Sequence, residues 1–194
     1  MKYKFDESEV NGVQQNIDPK ALFNLSYGMY IVGSHLGGRA NGQVANAVMQ
    51  LTGDPVSIAV CLNKQNLTET CLAESGAFSV SVLEEDVPMT FIGQFGFKSG
   101  RDIDKFAGVD YTTGMLGVPV VREWCLSGFE ARITSRLEVH THVLFVGEVV
   151  AAKVFKTGTP LTYANYHLVK KGKSPKTAPT FAFNRLGEPN KESK

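Results

Sequence analysis

The stretches WCLSGFEARITSRL (residues 124–137) and VLFVGEVVAAKVF (residues 143–155) decide the fold of this chain. Both are rich in β-branched and aromatic residues, which favour extended backbone. We place a turn near residues 138–141 between them, so the two stretches predict one long antiparallel hairpin. We expect this hairpin to be the longest of a β-rich domain.

Shorter strand-like segments precede the hairpin. Strands are predicted over residues 29–34, 43–52 and 56–62, which we interpret as a meander, and over residues 77–83. Short strands with few helices favour a closed β-barrel, because closure removes the exposed sheet edges. The predicted fold class is therefore mainly β with a few helices, arranged as a barrel.

Four short helices are predicted from capping signals. Their starts share an N-cap residue and lie at Asp18, Asn66, Asp86 and Ser99. The second is the best bounded, since Glu69 forms a capping box with Asn66 and Gly76 supplies a left-handed stop after residues 67–75. The fourth would contain residues 103–106.

One domain is expected from 194 residues. We divide the chain into a polar N-terminal arm (1–17), a barrel domain (18–167) and an extended basic C-terminal arm (168–194). A formal net charge of +1 gives no basic excess of the kind that tracks phosphate backbones, so no nucleic-acid partner is expected.

The three cysteines, Cys61, Cys71 and Cys125, show neither a CxxC pair nor zinc or iron–sulfur spacing. We expect no metal site and a reduced compartment. The charged N-terminus lacks the apolar core of a signal peptide, and no run of about 18 apolar residues occurs. The expected location is cytoplasmic, with no membrane association.

Residues 37–47 form a glycine- and amide-rich turn that runs into a strand. Its small residues would let a flat ring approach the backbone, and an amide such as Asn46 or Gln50 would pair with the ring's polar edge. The alternative interpretation is a hairpin loop whose Gly and Asn residues supply left-handed conformations.

Residues 63–68, NKQNLT, stand at the exit of a strand and the entrance of a helix. Free backbone N–H groups at such an entrance bind anions, and Lys64, Asn66 and Thr68 would add charge and hydrogen bonds, as for a terminal phosphate. The alternative is that Asn66 only caps its helix while Lys64 is solvated.

Two further features are candidates for ligand contacts. Residues 95–106 crowd glycines, aromatics and basic residues before a predicted helix; they would close over a cofactor, or else form only a capped helix with Phe106 in the core. His142, at the start of a strand, could hydrogen-bond a ring, a nicotinamide amide or a transferred proton. The alternative for His142 is a surface or satisfied core histidine.

No Ser/His/Asp order, Walker loop, GxGxxG or HExxH is present, so hydrolase, NTPase and Rossmann functions lack local support. Instead, several stretches occur in the order of one family. They are LSYG (25–28), NGQVANA (41–47), AVCLNKQNLT (59–68), FGFKSGRDIDKF (95–106), HVLFVGEV (142–149) and YANYHLVKKGK (163–173). On these stretches, residues 20–180 resemble the flavin reductase-like FMN-binding split-barrel family, which includes flavoredoxin and the flavoprotein half of high-molecular-weight rubredoxins.

The resemblance implies a set of residue roles. The residues that would line the isoalloxazine and ribityl chain are Val44, Ala45, Asn46, Ala47, Gln50, Leu51 and Thr52. Those that would hold the phosphate are Asn63, Lys64, Asn66 and Thr68. Ser99, Gly100 and Lys105 would lie close to the cofactor near a dimer interface, and His142 would approach the flavin or the nicotinamide as the catalytic residue.

The resemblance also implies a function: bound FMN would pass electrons from NADH, NADPH or a redox partner such as ferredoxin to an acceptor such as rubredoxin, in a homodimer without metal. The alternative is a non-enzymatic flavin carrier or storage protein. The chain departs from the commoner reductase pattern, which has Thr-Ala-Asn-Ser at residues 44–47 and a serine at Gln50. The two side-chain hydroxyls of the Thr-Ala-Asn-Ser motif are missing, which weakens the expectation that free flavin is a substrate.

Overall fold

The structure is a computed structural model that describes residues 19–22 and 24–180. Asp18, Phe23, the predicted N-terminal arm (1–17) and the end of the predicted C-terminal arm (181–194) lie outside the described residues. Within the described part, no helix is both long and apolar enough to cross a membrane.

Strands dominate the chain, and the predicted fold class of a mainly β protein with a few helices is confirmed. The strands are β1 (Tyr30–Leu36), β2 (Arg39–Ala45), β3 (Val48–Gly53), β4 (Val56–Asn63), β5 (Ala77–Leu83), β6 (Tyr111–Thr113), β7 (Pro119–Val121), β8 (Cys125–Val139) and β9 (His142–Val154). The helices are α1 (Pro19–Leu22), α2 (Leu67–Ser75), α3 (Met89–Gly96) and α4 (Tyr163–Leu168).

The long hairpin predicted from residues 124–155 is confirmed as β8 and β9. These strands pair antiparallel from Ser127 opposite Val154 to Val139 opposite His142. Only residues 140 and 141 form the turn, and His140 takes a left-handed conformation with φ of 48°. Two-residue hairpin loops need such conformations because they match the twist of the flanking strands.

Seven strands form one antiparallel sheet in the order β2-β1-β5-β8-β9-β4-β3. The two edge strands, β2 and β3, are consecutive in the chain and are joined only by Asn46 and Ala47. So short a link places the end of β2 beside the start of β3, which curls the sheet into a barrel; among the described residues the two edge strands do not otherwise pair with each other. The barrel therefore closes at residues 46–47.

This closure corrects two predictions. The single strand predicted over residues 43–52 is wrong, because the chain breaks at Asn46 and Ala47 and changes from one sheet edge to the other. The meander is wrong for the same reason, since β2 pairs with β1 and β3 pairs with β4. An unbroken apolar and amide pattern gave no sign of the break.

Two hydrophobic clusters fill the molecule, and successive residues of β1 divide between them. Ile31 packs with Phe91 and Phe95 of α3, whereas Val32 packs with Phe78 and Phe145 inside the sheet. Adjacent side chains of a strand point to opposite faces, so one strand serves both cores. Together the clusters hold α3 against the barrel beside the point of closure.

The predicted helix over residues 67–75 is confirmed, and Gly76 ends it with φ of 69°. The helix predicted after Ser99 is wrong: residues 99–108 form turns, in which Asp102 N–H donates to the Ser99 carbonyl at 3.1 Å. Asp104 also bonds the backbone N–H of Phe106, a local bond that competes with helix. The sequence analysis did not predict α4 or the β6–β7 hairpin.

Candidate functional site

A cavity of about 670 Å³ opens where the barrel closes. Its walls come from the end of β2, the end of β4 with the start of α2, the end of α3 with the turns after it, and residues 173–179 of the C-terminal segment. A volume of this size suits a cofactor or a drug-sized ligand.

Many of the predicted cofactor residues meet in this cavity although they come from separate elements. Those that line it are Val44, Ala45, Asn46, Asn63, Asn66, Thr68, Ser99, Gly100 and Lys105. Ala47, Gln50, Leu51, Thr52, Lys64 and His142 are not among the lining residues.

The entrance of α2 forms one end of the cavity. Asn66 is the N-cap residue, but its side chain makes no capping hydrogen bond. The amide of Asn63 instead organises the turn, because its Oδ1 accepts from the Gln65 N–H at 2.9 Å. The buried Thr68 Oγ accepts from Asn41 Nδ2 at 2.9 Å. The helix N-terminus and the Asn66 amide thus remain available for an anion.

The turn at residues 99–101 packs closely against this entrance. A Cβ at Gly100 would stand 2.0 Å from Oδ1 of the buried Asn41, so only glycine fits there. The Arg101 N–H donates to Ser99 Oγ at 3.1 Å, and Arg101 Nη1 donates to the Gln65 carbonyl at 3.3 Å. These contacts hold the exposed Arg101 guanidinium beside the start of α2.

Two buried side-chain atoms at the closure of the barrel have no hydrogen-bond partner: Gln43 Oε1, an acceptor, and Asn46 Nδ2, a donor. Both residues line the cavity. Buried polar atoms without partners cost about 1–3 kcal/mol each. A ligand that presents both a donor and an acceptor on one edge would remove this cost.

Lys105 places a buried positive charge in the cavity wall. Its Nζ donates to the carbonyls of Gly42 at 2.9 Å and Phe95 at 3.0 Å, and no salt bridge to it occurs among the described residues. Burial lowers the pKa of the Lys105 ammonium to about 8. The group is therefore mostly charged at neutral pH.

Among the described residues, the charged side chains that line the cavity are all cationic. Its cationic lining residues are Lys98, Arg101, Lys105, Lys173 and Lys176. No aspartate or glutamate is among the lining residues in the described part of the chain. Uncompensated cations beside a helix N-terminus attract an anionic ligand.

The predicted site residues outside the cavity have other contacts. Lys64 pairs with Glu138 across 2.6 Å, and this pair lowers the pKa of the Glu138 carboxyl. Gln50 Nε2 donates to the Thr52 carbonyl at 3.2 Å on the exposed strand β3, where Leu51 also lies. The Ala47 carbonyl accepts from the Cys61 N–H at 2.9 Å.

His142 begins β9 opposite Asn63, which lines the cavity. Its Nδ1 bonds Thr141 Oγ at 2.9 Å, while its buried Nε2 has no partner. Burial lowers the pKa of the imidazole, and the neighbouring backbone of Thr177 acts in the opposite direction. The ring is therefore neutral at neutral pH, with one nitrogen beside a cavity-lining segment.

Several lining residues were not predicted from the sequence. Tyr163 and Tyr166 of α4 border the cavity together with residues 173–179, and Cys61 lines it from β4. Burial raises the pKa of the Cys61 thiol, so it is protonated at neutral pH. No local signal marks these positions, because tertiary packing alone brings α4 to the cavity.

Metal ligands do not cluster in the described part of the chain: no group of three His, Cys, Asp or Glu residues there could hold an ion. Cys61, Cys71 and Cys125 are all free thiols. The site's polar groups are amides, hydroxyls and cations, which suit an organic anion.

Comparisons with known proteins agree with this geometry. The chain is 53% identical over 165 residues to a ferric-chelate reductase (NAD(P)H) of Archaeoglobus fulgidus, covering 85% of this chain and 98% of that one. It is 49% identical to a high molecular weight rubredoxin of Moorella thermoacetica, covering 87% and 74%. A crystal structure of flavoredoxin from Methanosarcina acetivorans superposes with a TM-score of 0.65 at 26% identity, covering 82% and 81%.

A family model described as "flavin reductase like domain" matches residues 22–172. The match runs from the end of α1 to just beyond α4 and so takes in every strand of the barrel. The chain therefore belongs to the flavin reductase-like family.

Proposed function

We propose that the cavity binds FMN and that the protein passes electrons from NADH or NADPH through it to an acceptor. The observation that carries this proposal is the lining formed by the described residues, which has five cations, no carboxylate and two unpaired amide atoms at the closure of the barrel. FMN combines the matching groups, a phosphate monoester and a ring edge with alternating donors and acceptors.

The phosphate fits best at the entrance of α2. Backbone N–H groups, the unused Asn66 amide and the Arg101 guanidinium converge there. Lys64, expected to contribute charge, is paired with Glu138 instead, so we assign its role to Arg101. The Thr68 hydroxyl still has its own proton to donate, because its oxygen only accepts from Asn41.

The ring fits at the end of β2. Gln43 and Asn46 would bond its polar edge through the two unpaired atoms, and Val44 and Ala45 would pack against its apolar part. When bound, FMN would supply the redox chemistry, which is acceptance of a hydride and release of electrons singly or in pairs. The protein's part is to bind the cofactor, to orient it and to stabilise its charge.

His142 remains the proposed catalytic residue. Its neutral imidazole lies beside Thr177 of the cavity-lining segment, where it would exchange a proton or bond a nicotinamide amide. The A. fulgidus relative, which is named for both NAD(P)H and a ferric chelate, supports this direction of electron flow.

A second candidate is an electron carrier that ferredoxin reduces and that donates to rubredoxin. The similarity to a rubredoxin and to a flavoredoxin favours it. A carrier needs the same cofactor site but no site for a nicotinamide, so the two functions differ in their reductant.

Anaerobic stopped-flow reduction tests the proposed function. The protein loaded with FMN is mixed with NADH, NADPH or reduced ferredoxin, and the loss of the flavin's visible absorbance is followed. We expect fast bleaching by at least one nicotinamide. Fast bleaching by ferredoxin together with slow bleaching by both nicotinamides would replace the enzyme with the carrier.

We further propose a cytoplasmic homodimer. The edge strand β3 exposes Met49 and Leu51, and the distal part of the β8–β9 hairpin exposes Leu137 and Val139. Large exposed side chains along an unpaired edge favour association. The three free cysteines support a reducing compartment.

A further inference from the structure

Residues 173–179 line the cavity, but they lie beyond residue 172, where the match to the family ends. Helix α4 holds the start of this segment. The Tyr166 hydroxyl donates to the Lys173 carbonyl at 2.8 Å, and His167 Nδ1 bonds the Gly172 carbonyl at 2.9 Å. Tyr163 bonds the hydroxyls of Ser174 and Thr180.

The junction between α4 and this segment is tightly packed. A Cβ at Gly172 would stand 2.1 Å from the ring of Tyr166, so the chain must turn here with glycine. Tyr163 and Tyr166 also line the cavity, and the buried Ser174 lies within reach of His167 Nε2 at 3.4 Å. The segment is therefore a fixed part of the cavity wall.

The segment adds two cations, Lys173 and Lys176, and neither takes part in a salt bridge among the described residues. The FMN phosphate has other partners, namely the entrance of α2 and Arg101. Lys105 is buried, with its ammonium bonded to two carbonyls. Of the exposed lining lysines, Lys98 follows α3, whereas Lys173 and Lys176 both lie on this segment and remain for a second anion.

We propose that Lys173 and Lys176 form a subsite for the phosphates of the nicotinamide dinucleotide that reduces the flavin. This inference rests on the proposed function, since it assumes that FMN fills the other end of the cavity. A dinucleotide suits the subsite because its pyrophosphate carries negative charge away from the reacting ring. The same segment contains Thr177, which lies beside His142.

The test compares two double variants with equal changes of charge. Lys173→Gln with Lys176→Gln removes the subsite, whereas Lys153→Gln with Lys171→Gln removes two exposed lysines that do not line the cavity. Calorimetry of the FMN-loaded proteins with NADP+ and NAD+, which do not reduce FMN, gives the affinities. Calorimetry with FMN on the unloaded proteins gives the cofactor's affinity.

We expect the first double variant to bind the dinucleotides roughly 2- to 30-fold more weakly, as for the loss of two exposed ionic contacts. Its affinity should also depend less on salt than that of the natural chain. Binding of FMN should change less than about twofold, and Lys173→Arg with Lys176→Arg should restore dinucleotide binding.

Unchanged dinucleotide affinity in the first double variant would overturn this subsite, as would an equal loss in the control. Weaker binding of an anionic ferric chelate with unaltered dinucleotide binding would assign the lysines to the acceptor and overturn the donor assignment. Failure of the natural chain to bind FMN would count against the proposed function. The separate FMN titration therefore distinguishes failure of the proposed function from failure of the subsite.

Discussion

Lys105 is a charged residue that is buried in the free protein. Its buried ammonium has two carbonyl partners and, among the described residues, no counter-ion. This charge destabilises the folded state, because burial disfavours the protonated form and lowers the pKa of Lys105 to about 8. An anionic ligand would offset that cost, which explains a lysine in a cavity wall.

This burial predicts a pH dependence of stability. Between pH 8 and about 10.5 the unfolded chain holds a proton on Lys105 that the folded chain has lost, so stability rises with pH across this window. Relative to Lys105→Met, the free energy of unfolding of the natural chain should rise by about 3 kcal/mol from pH 7 to pH 10.5. Urea unfolding of both proteins at each pH measures the difference, in which all other titrations cancel.

A constant difference between the two proteins across this pH range would show that the Lys105 charge is not destabilised by burial. The same urea unfolding at each pH, repeated on the natural chain in the presence of FMN, provides a control. Bound phosphate favours the protonated lysine, so the rise should shift to higher pH.

The sequence predicts which residues lie together only where those residues are close neighbours in the chain. Asn63, Asn66 and Thr68 lie on one strand–helix junction, and all three line the cavity. Lys64 lies on the same junction, but Glu138 is distant in sequence and no local pattern could reveal their pairing. The contact of Arg101 with the Gln65 carbonyl at this junction was not predicted, because these residues are also distant in sequence.

At the scale of elements, the clearest signals in the sequence were hairpins and helix ends. The β8–β9 hairpin and α2 followed directly from β propensity and from the cap and Gly76. The helix predicted within residues 99–106 is wrong because Ser99 and Asp104 accept hydrogen bonds from nearby backbone N–H groups, as N-cap residues do, but no helix follows them. The link at residues 46–47 was hidden because a strand that changes sheet edges keeps its apolar pattern.

The prediction about the homodimer concerns strand β3. Met49 is 58% exposed and Leu51 is 41% exposed on this edge. If β3 lies in a dimer interface, Met49→Asp with Leu51→Asp should weaken dimerisation by at least roughly 100-fold, since each buried apolar side chain contributes about 1.5–3 kcal/mol. Light scattering should then show a mass near 21.1 kDa instead of about twice that value.

Met115→Asp is the matched control for this experiment, because Met115 is 81% exposed and lies on the loop between β6 and β7. It should leave the dimer intact. A natural chain that is monomeric at micromolar concentration, or a dimer that survives both β3 substitutions, would contradict an interface at this strand.

At the scale of the whole molecule, the site exists because the barrel closes beside α2, α3 and α4. Composition and strand pattern predict a mainly β domain, and the resemblance predicts which residues would bind the cofactor. Neither could reveal that residues 173–179 border the same cavity, because that depends on how α4 docks. The predicted division into an N-terminal arm, a domain ending at residue 167 and a basic arm remains a prediction.

The most direct test of the central claim, that this cavity binds FMN through its phosphate, is a comparison of FMN with riboflavin by calorimetry. We predict one FMN per chain and riboflavin binding at least about 100-fold weaker, since charge-assisted contacts contribute about 1.5–3 kcal/mol each. Arg101→Gln should reduce this difference and Lys64→Gln should not. Equal affinity for the two flavins, or no FMN binding, would contradict the claim.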